Sequence, residues 1–346
     1  MAYFVPSALV AGQAKFTDRM TSGEWRLPDS VALNAAQKSL IANPSLQDIR
    51  TRDDRTVYAY FPIRQTAIGS SARAHAHTGA VGDSLSKTIS WTTYAEPFSI
   101  SIKQADNNIF SFAEMYASSL QNAFLNLINR LDAAFVALLL ADKTQYSAGG
   151  GKGTWNSSSL NTEIPLSEQN YFFQNARQLM EYNLFRNNNL ICIADDNALV
   201  LSQRLQALGS ANAVNYAFQF AGMSILGTTR TVLGTTNYNG SALVYENGLV
   251  AVEPWIPKQN RKALDPVKAY EYNGDYGQVF IPQFPGVPFA IHAYSLRADQ
   301  TSIGGYTQDL LMQVEISVDL AYVSAPISTY RSSSDSVVYA VGQLTA

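Results

Sequence analysis

The sequence predicts an α+β fold built around one unusually long helix, and three observations support this class. A helical stripe of apolar residues runs through the middle of the chain, short segments of alternating apolar and polar residues lie on both sides of it, and no fixed-length repeat is visible. With 346 residues, the chain exceeds what one compact core usually organises, so we expect two or more lobes.

Charged residues are scarce. Asp, Glu, Lys and Arg make up 15% of the chain, whereas about 25% is typical of soluble proteins. A membrane protein is not indicated, because strongly apolar stretches such as residues 133–141 fall far short of the ~20 residues that span a bilayer. We therefore expect other copies of the protein to cover much of the surface, as in a subunit of an obligate assembly.

The net charge of −3 and the pI near 5.7 argue against a protein whose main task is to neutralise nucleic-acid phosphates. The single cysteine, Cys192, lies in an apolar run, so we interpret it as a buried hydrophobe, and no disulfide within the chain is possible. The N-terminus carries no basic segment, so we expect no cleaved secretory signal and folding in a reducing cytoplasm.

Residues 1–50 show no sustained period, and we interpret them as an extended N-terminal arm. One short helix is expected within the arm. Asp29 or Ser30 would cap it, and it would run through Leu33 and Ala36.

Residues 51–107 predict an extended β-hairpin. Two segments alternate apolar and polar residues, with apolar positions at Val57, Ala59, Phe61 and Ile63 in the first and at Phe98, Ile100 and Ile102 in the second. A tract rich in Gly, Ala and Ser separates them and predicts a mobile tip, with Ile89 and Trp91 extending the second side. Because such a hairpin has no core of its own, we expect it to lie on an adjacent subunit.

A long helix is predicted to begin at Ser111. Ser111 and Glu114 match a capping box, in which each side chain bonds to the backbone N–H of the other residue. Apolar residues then recur at steps of three or four over about thirty residues, which would make a rod of ~45 Å. The stripe consists of Phe112, Tyr116, Leu120, Phe124, Leu127, Leu131, Phe135 and Leu138.

The remainder of the chain predicts a strand–helix lobe followed by β segments. A second helix is expected over residues 167–182 with Ser167 as its cap, and a strand over residues 190–194 leads into a helix closed by Gly209. Further strands are expected at residues 243–245, 250–252 and 280–281, and a long half-exposed strand at residues 312–322.

No catalytic, metal or cofactor site is predicted. The Gly-rich tract around Lys152 lacks the spacing of a phosphate loop and its strand–loop–helix context. Asp195 and Asp196 follow a strand, where paired carboxylates bind Mg²⁺ in some enzymes, but helix capping accounts for them and no partner carboxylate cluster is evident.

The three histidines give no stronger signal. His75 and His77 are placed to share one face of a strand, but they lie in the predicted hairpin tip without a third ligand. His292 is interpreted as a residue of the core or of an edge strand.

The order of these elements, together with three segments, resembles the major capsid proteins of tailed bacteriophages, whose Hong Kong 97 fold is shared with herpesvirus shells. The segments are residues 98–102 leading into the helix that contains residues 131–135, the strand-to-helix turn at residues 191–198, and residues 246–255. The resemblance implies an N-terminal arm (1–50), an extended β-hairpin loop (51–107), a peripheral domain with a spine helix (108–184), an axial domain (185–275) and returning β segments of both domains (276–346).

The resemblance also implies a structural protein and not an enzyme: a major capsid protein that self-assembles through pentamers and hexamers into an icosahedral shell around double-stranded viral DNA. Implied partners are a portal, a separate scaffold protein, decoration proteins and, through weak non-specific contact, the packaged DNA. No cofactor and no membrane are implied, and the location is the virion capsid, assembled in the host cytoplasm.

Five residues of the predicted hairpin are candidates for subunit contacts, namely Tyr58, Tyr60, Arg64, Lys87 and Trp91. Some capsid proteins of this kind cross-link a hairpin lysine to an asparagine of a neighbour. Lys87 lies on the corresponding hairpin, but no partner position can be matched, so no catalytic role is assigned.

Two other classes remain as alternatives. A β-rich adhesion protein of a phage or cell surface would share the richness in Ser, Thr and Tyr, but it is expected to lack the uninterrupted long helix. A hydrolase that acts through Asp195 and Asp196 is the second alternative.

Overall fold

The computed structural model describes residues 5–39, 57–62, 84–101, 112–145, 147, 152–183, 189–209, 223–230, 232–234, 236–262, 276–297, 310–325 and 336–345. Its helices are α1 (Val5–Thr21), α2 (Val31–Ser39), α3 (Phe112–Ala141), α4 (Phe172–Tyr182), α5 (Asp196–Gly209) and α6 (Lys258–Lys262). Its strands are β1 (Val57–Pro62), β2 (Ser84–Ile89), β3 (Trp91–Ser101), β4 (Thr154–Asn156), β5 (Asn161–Ile164), β6 (Leu190–Ala194), β7 (Met223–Gly227), β8 (Tyr238–Glu246), β9 (Val250–Trp255), β10 (Tyr276–Phe280), β11 (Pro288–Arg297), β12 (Leu310–Ser324) and β13 (Tyr339–Leu344).

The predicted long helix is α3, which we call the spine, and its 30 residues match the expected length. Its apolar stripe is buried as predicted from Tyr116 to Phe135, whereas Phe112 at its start is only partly buried. At its end Leu138 is 42% exposed and Leu139 is fully buried in its place. Val136 is buried as well, so the buried side of the last turns includes Phe135, Val136 and Leu139. Ser111 lies outside the described residues, while the Glu114 carboxylate accepts from Lys15 Nζ at 2.6 Å.

The spine is also long and apolar enough to cross a membrane by length and composition. The core helix of a globular protein passes the same test, and the buried stripe of the spine packs into the main hydrophobic core. We therefore describe the spine as a core helix.

The prediction of an extended N-terminal arm is wrong for most of residues 5–39, which form α1 and α2. The short helix was predicted correctly as α2, and Ser30 Oγ accepts from the backbone N–H of Leu33 at 3.1 Å. Helix α1 packs on the spine, where the buried Phe16 ring stacks on Phe124 with centroids 5.4 Å apart. Its buried face relies on Gly12 as well as on apolar side chains, so hydropathy alone gave little sign of it.

The predicted hairpin exists, but its second strand was assigned wrongly. Strand β1 pairs antiparallel with β2, from Val57 opposite Ile89 to Pro62 opposite Ser84. The segment around Phe98 and Ile100 belongs to β3, which pairs with β12 in a different sheet. Strand β2 escaped detection because it is mostly polar and exposed, and it falls partly inside the tract that had been interpreted as a tip.

The larger part of the β structure forms two sheets. The first has the order β10-β11-β12-β3, and β9 pairs with the C-terminal end of β12. The predicted long strand is β12, whose alternation is confirmed from Met312 to Val318. Near its C-terminal end both faces are covered, because Asp319, Ala321 and Val323 are buried as well.

The second sheet has the order β4-β5-β13-β8-β6-β7. It combines three separate parts of the sequence, since β13 comes from the C-terminus and lies between β5 and β8. The helix predicted from Ser167 begins instead as a 3-10 helix, Leu166–Tyr171, without a side-chain cap, and continues as α4. Each large sheet contains strands from several of the predicted domain ranges. The structure therefore does not test the predicted domain limits, which stay predictions.

Among the described residues, the buried apolar side chains form two clusters. The main core joins α1, α2, the spine and both large sheets. A second and smaller cluster lies at the root of the β1–β2 hairpin, with Trp91 packed against it. We call this group the hairpin-root cluster, and it consists of Ala59, Ile89, Ala251, Ala321 and Val323.

Candidate subunit interface

One face of the β1–β2 hairpin is exposed and aromatic. Tyr58 is 53% and Tyr60 is 65% exposed, and the register places Thr88 and Ser86 directly opposite them. Residues paired across an antiparallel ladder point to the same side of a sheet, so these four side chains and Ser84 share one surface. We call this surface the tyrosine face; it carries no formal charge.

The opposite face attaches the hairpin to the body of the subunit. Ala59 and Ile89, each 1% exposed, pack against Ala251 of β9 and against Ala321 and Val323 of β12. A two-stranded hairpin is marginally stable alone, so this small cluster provides the anchorage that the hairpin needs. The tyrosine face is consequently held away from the main core and open to contact.

The five predicted interface residues therefore fall into three groups. Tyr58 and Tyr60 are exposed as an interface requires, whereas Arg64 lies outside the described residues. Lys87 Nζ donates to the backbone oxygen of Ser324 at 3.2 Å and to its Oγ at 2.9 Å, and Trp91 packs against the hairpin-root cluster. Lys87 and Trp91 thus make contacts within their own subunit, and their role between subunits stays a prediction.

A groove of about 260 Å³ lies next to the tyrosine face. Thr88 of β2 and Thr92 of β3 form part of its lining, and Leu131, Phe135 and Leu138 line it on the spine. The described residues around it carry no formal charge. Its chemistry suits an apolar or weakly polar contact and offers no acid, base or nucleophile.

Tyr322 also lines this groove. Its hydroxyl donates to Asp142 Oδ2 at 3.0 Å, and its ring contacts Phe135 edge-on. Burial, followed by the nearby Asp142 carboxylate, raises the pKa of Tyr322 well above its usual value. The hydroxyl therefore remains protonated and acts as a hydrogen-bond donor.

The carboxylates considered for a metal site are structural. Asp195 is buried, with Oδ1 accepting from the Ala198 N–H at 2.9 Å and Oδ2 accepting from Ser241 N at 2.9 Å and Ser241 Oγ at 2.5 Å. This is the predicted helix cap, extended by a second anchor on β8. Asp196 is exposed, and no group of three possible metal ligands occurs in the part of the chain that the structure describes.

The other candidate chemical groups are also accounted for. Cys192 is completely buried, and burial raises the pKa of its thiol to about 12. Lys152 is exposed, with its Nζ 3.7 Å from Glu168. His292 stacks on Tyr276 in the first sheet, whereas His75 and His77 lie outside the described residues.

Sequence reasoning missed several residues of this surface. Ser86 and Thr88 belong to the tyrosine face, and Ser324 holds Lys87 from the end of β12. Alternation of Ser84, Ser86 and Thr88 with Leu85, Lys87 and Ile89 was a usable signal for β2. Nothing local could have indicated Ser324, because 237 residues separate it from Lys87.

Comparison with known proteins identifies the fold through solved structures and not through sequence matches. No protein-family profile and no curated protein matches the sequence. A solved structure from Mycobacterium phage Che8, however, matches with a TM-score of 0.52 and 11% identity over 92% of each chain. The chain has the Hong Kong 97-type fold.

This outcome confirms the predicted fold class. Further similar structures come from Mycobacterium phage Bobi, with a TM-score of 0.46 and 10% identity over 93% of each chain, and from the mature capsid of bacteriophage PhiM1. The latter has a TM-score of 0.42 and 12% identity over 85% of this chain and 83% of that one. Because identities are so low, the likeness describes the fold alone.

Proposed function

We propose that the chain is the major capsid protein of a tailed bacteriophage, a structural subunit that assembles through hexamers and pentamers into an icosahedral shell around double-stranded DNA. The observation that carries this proposal is the Hong Kong 97-type fold, which extends over 92% of the chain. The part of this chain outside the match is too short for a separate catalytic domain of ordinary size. Two carboxylates were considered for catalysis, and the buried one, Asp195, uses one oxygen to cap α5 and the other to bind Ser241 on β8.

We further propose that the tyrosine face is covered by a neighbouring subunit. Tyrosine is enriched at protein interfaces because it combines a large apolar ring with a polar tip and two rotatable side-chain bonds. Tyr58 and Tyr60 expose more than half of their surface on a hairpin that has one face anchored and the other uncovered. Contact with a second copy would bury both rings without burying a charge.

This contact also accounts for the low content of charged residues. Lys, Glu and Asp are depleted in protein interfaces, so a subunit whose surface is largely covered by other subunits is expected to contain few of them. A portal, a separate scaffold, decoration proteins, weak contact with packaged DNA and assembly in the host cytoplasm remain predictions of the same proposal.

The proposal is tested by expressing the full chain and examining it by negative-stain electron microscopy and analytical ultracentrifugation. We expect shells, tubes or rings with five-fold or six-fold symmetry. A wild-type chain that stays monomeric at every concentration tested contradicts self-assembly of this protein.

The contact of the tyrosine face is tested by the double variant Tyr58→Ser, Tyr60→Ser. The matched control is Tyr171→Ser, Tyr182→Ser, because these tyrosines are 54% and 57% exposed but lie around α4. Circular dichroism should show that both variants fold, whereas only the hairpin variant should lose particles. Equal particle yields from the hairpin variant and the wild type would rule out this contact.

A further inference from the structure

The hairpin is attached to the body of the subunit by more than the hairpin-root cluster. Lys87 lies on the anchored face of the hairpin, opposite Ala59, and its ammonium group reaches the last residue of β12. Ser324 is 3% exposed there. An ammonium group held by two oxygens of a buried residue is a directional contact, unlike the apolar packing beside it.

The contact continues beyond Ser324. The Ser324 side chain also lies within hydrogen-bonding reach of the Tyr322 hydroxyl two residues earlier on β12, and Tyr322 donates to Asp142 Oδ2 at 3.0 Å. The directions are compatible, because Lys87 donates to Ser324, the single Ser324 proton is free to point to Tyr322, and the Tyr322 proton points to Asp142. A cation stands at one end of this chain and a carboxylate at the other, so each bond polarises the next in the same sense.

The carboxylate end lies at a junction of the fold. Asp142 follows the last residue of the spine. Lys143 Nζ donates to the backbone oxygen of Ser159 at 2.6 Å, and the Thr144 N–H donates to Val338 O at 2.8 Å, next to β13. The hydrogen-bonded chain from the hairpin therefore ends where the spine is tied to the second large sheet.

We propose that Lys87, Ser324, Tyr322 and Asp142 form a clasp that fixes the orientation of the hairpin relative to the C-terminal end of the spine. The clasp makes Lys87 a positioning residue within its own subunit. Its consequence for assembly rests on the proposed function: a fixed hairpin presents the tyrosine face in one orientation, whereas a released hairpin presents it in many and assembles less readily.

The clasp is tested by hydrogen–deuterium exchange of the full chain in its unassembled form. Lys87→Met keeps the aliphatic stem and removes the charge-assisted bonds, so amide exchange over β1 and β2 should become about tenfold faster. Tyr322→Phe keeps the ring in contact with Phe135 and removes only the hydroxyl. It should accelerate exchange in the hairpin by about threefold, although Tyr322 is not part of the hairpin.

The double variant separates a clasp from two independent effects. Because both substitutions break the same chain of bonds, the double variant should exchange no faster than Lys87→Met alone. The matched control is Lys152→Met, which removes an exposed lysine beside Glu168 and should leave hairpin exchange unchanged. Additive effects, or an unaltered hairpin in Tyr322→Phe, would overturn the clasp.

The exchange measurement does not require particles, so the two proposals fail separately. Normal shells together with unchanged exchange in Lys87→Met would refute the clasp and leave the capsid proposal standing. Faster exchange in the variants together with a wild type that never assembles would support the clasp and contradict the unaided self-assembly that the capsid proposal expects.

Discussion

Two adjacent leucines at the end of the spine provide a sharp test of the structure. Leu139 is completely buried in the main core, whereas Leu138 is 42% exposed and lines the groove. Replacing a buried leucine by alanine costs about 2–5 kcal/mol, because transfer free energy is lost and a cavity remains. For Leu138 we expect about 1 kcal/mol, since much of its surface is already in water and the groove can collapse.

The comparison is internally controlled. Both substitutions are Leu→Ala in the same helical turn, so helix propensity and the unfolded state contribute equally and cancel in the difference. Unfolding of the unassembled protein in urea, followed by far-ultraviolet circular dichroism, should give a destabilisation at least about 1–2 kcal/mol larger for Leu139→Ala. Leu139→Met should cost less than about 1.5 kcal/mol, because it conserves volume.

The regular apolar stripe in the sequence predicts the opposite ranking, with Leu138 in the core. Equal losses at the two positions, or a larger loss at Leu138, would show that the last turns of the spine are rotated relative to the structure. The phase of the helix against β12 would then have to be revised.

Three further predictions concern other parts of the fold. Gly12→Ala would place a Cβ 2.2 Å from the Tyr116 ring, so we expect a loss of about 1–3 kcal/mol, measured by thermal denaturation. Asp195→Ala leaves three buried donors without their acceptor and should cost about 2–4 kcal/mol in the same assay, whereas Asp196→Ala should cost less than about 0.5 kcal/mol. Burial raises the pKa of Asp132 above 3.8, so this group adds stability as the pH falls through its folded-state pKa and removes it as the pH rises. The urea midpoint of wild type relative to Asp132→Asn should accordingly be higher at about pH 4 than at about pH 7.

The elements that could be predicted are those whose signal is local. The spine carries its own stripe over 30 residues, and the Asp195 cap stands directly between a strand and a helix. In strand β12 the alternation of apolar and polar residues in the sequence likewise predicts which face is buried. In each case the free energy that selects the element comes from contacts that one periodicity describes, so the pattern in the sequence was sufficient.

The elements that were missed depend on partners distant in sequence. Helix α1 is stabilised against the spine, where Gly12 allows close approach of Tyr116 and Lys15 pairs with Glu114. A glycine in a helix lowers its intrinsic propensity and weakens any hydrophobic pattern, so only the tertiary contact explains it. Strand β2 carries an alternating pattern, but that pattern does not show that Ile89 packs against β9 and β12, which are distant in sequence.

The candidate interface was half predictable for the same reason. Tyr58 and Tyr60 stood out as aromatic residues at alternate positions on a strand, and the structure leaves both exposed. Lys87 and Trp91 looked equivalent to them in the sequence, but the pairing of β1 with β2 directs Lys87 to the other face, and Trp91 lies on β3. A face assignment requires the register, and the register was wrong as long as β3 was taken for the second strand.

The separation of the hairpin-root cluster from the main core has a mechanical consequence. A substitution on the tyrosine face removes no contact from the main core, so it can change assembly without changing the stability of the subunit. A substitution on the buried side of the spine is expected to lower the stability of the subunit, because the spine contacts α1, α2 and the first sheet. The clasp connects the hairpin to the spine, because the Tyr322 ring packs on Phe135 of the spine and its hydroxyl is linked through Ser324 to Lys87 of the hairpin. Tyr322→Phe therefore separates packing from orientation: thermal stability should stay within about 1 kcal/mol of wild type while hairpin exchange and particle yield change.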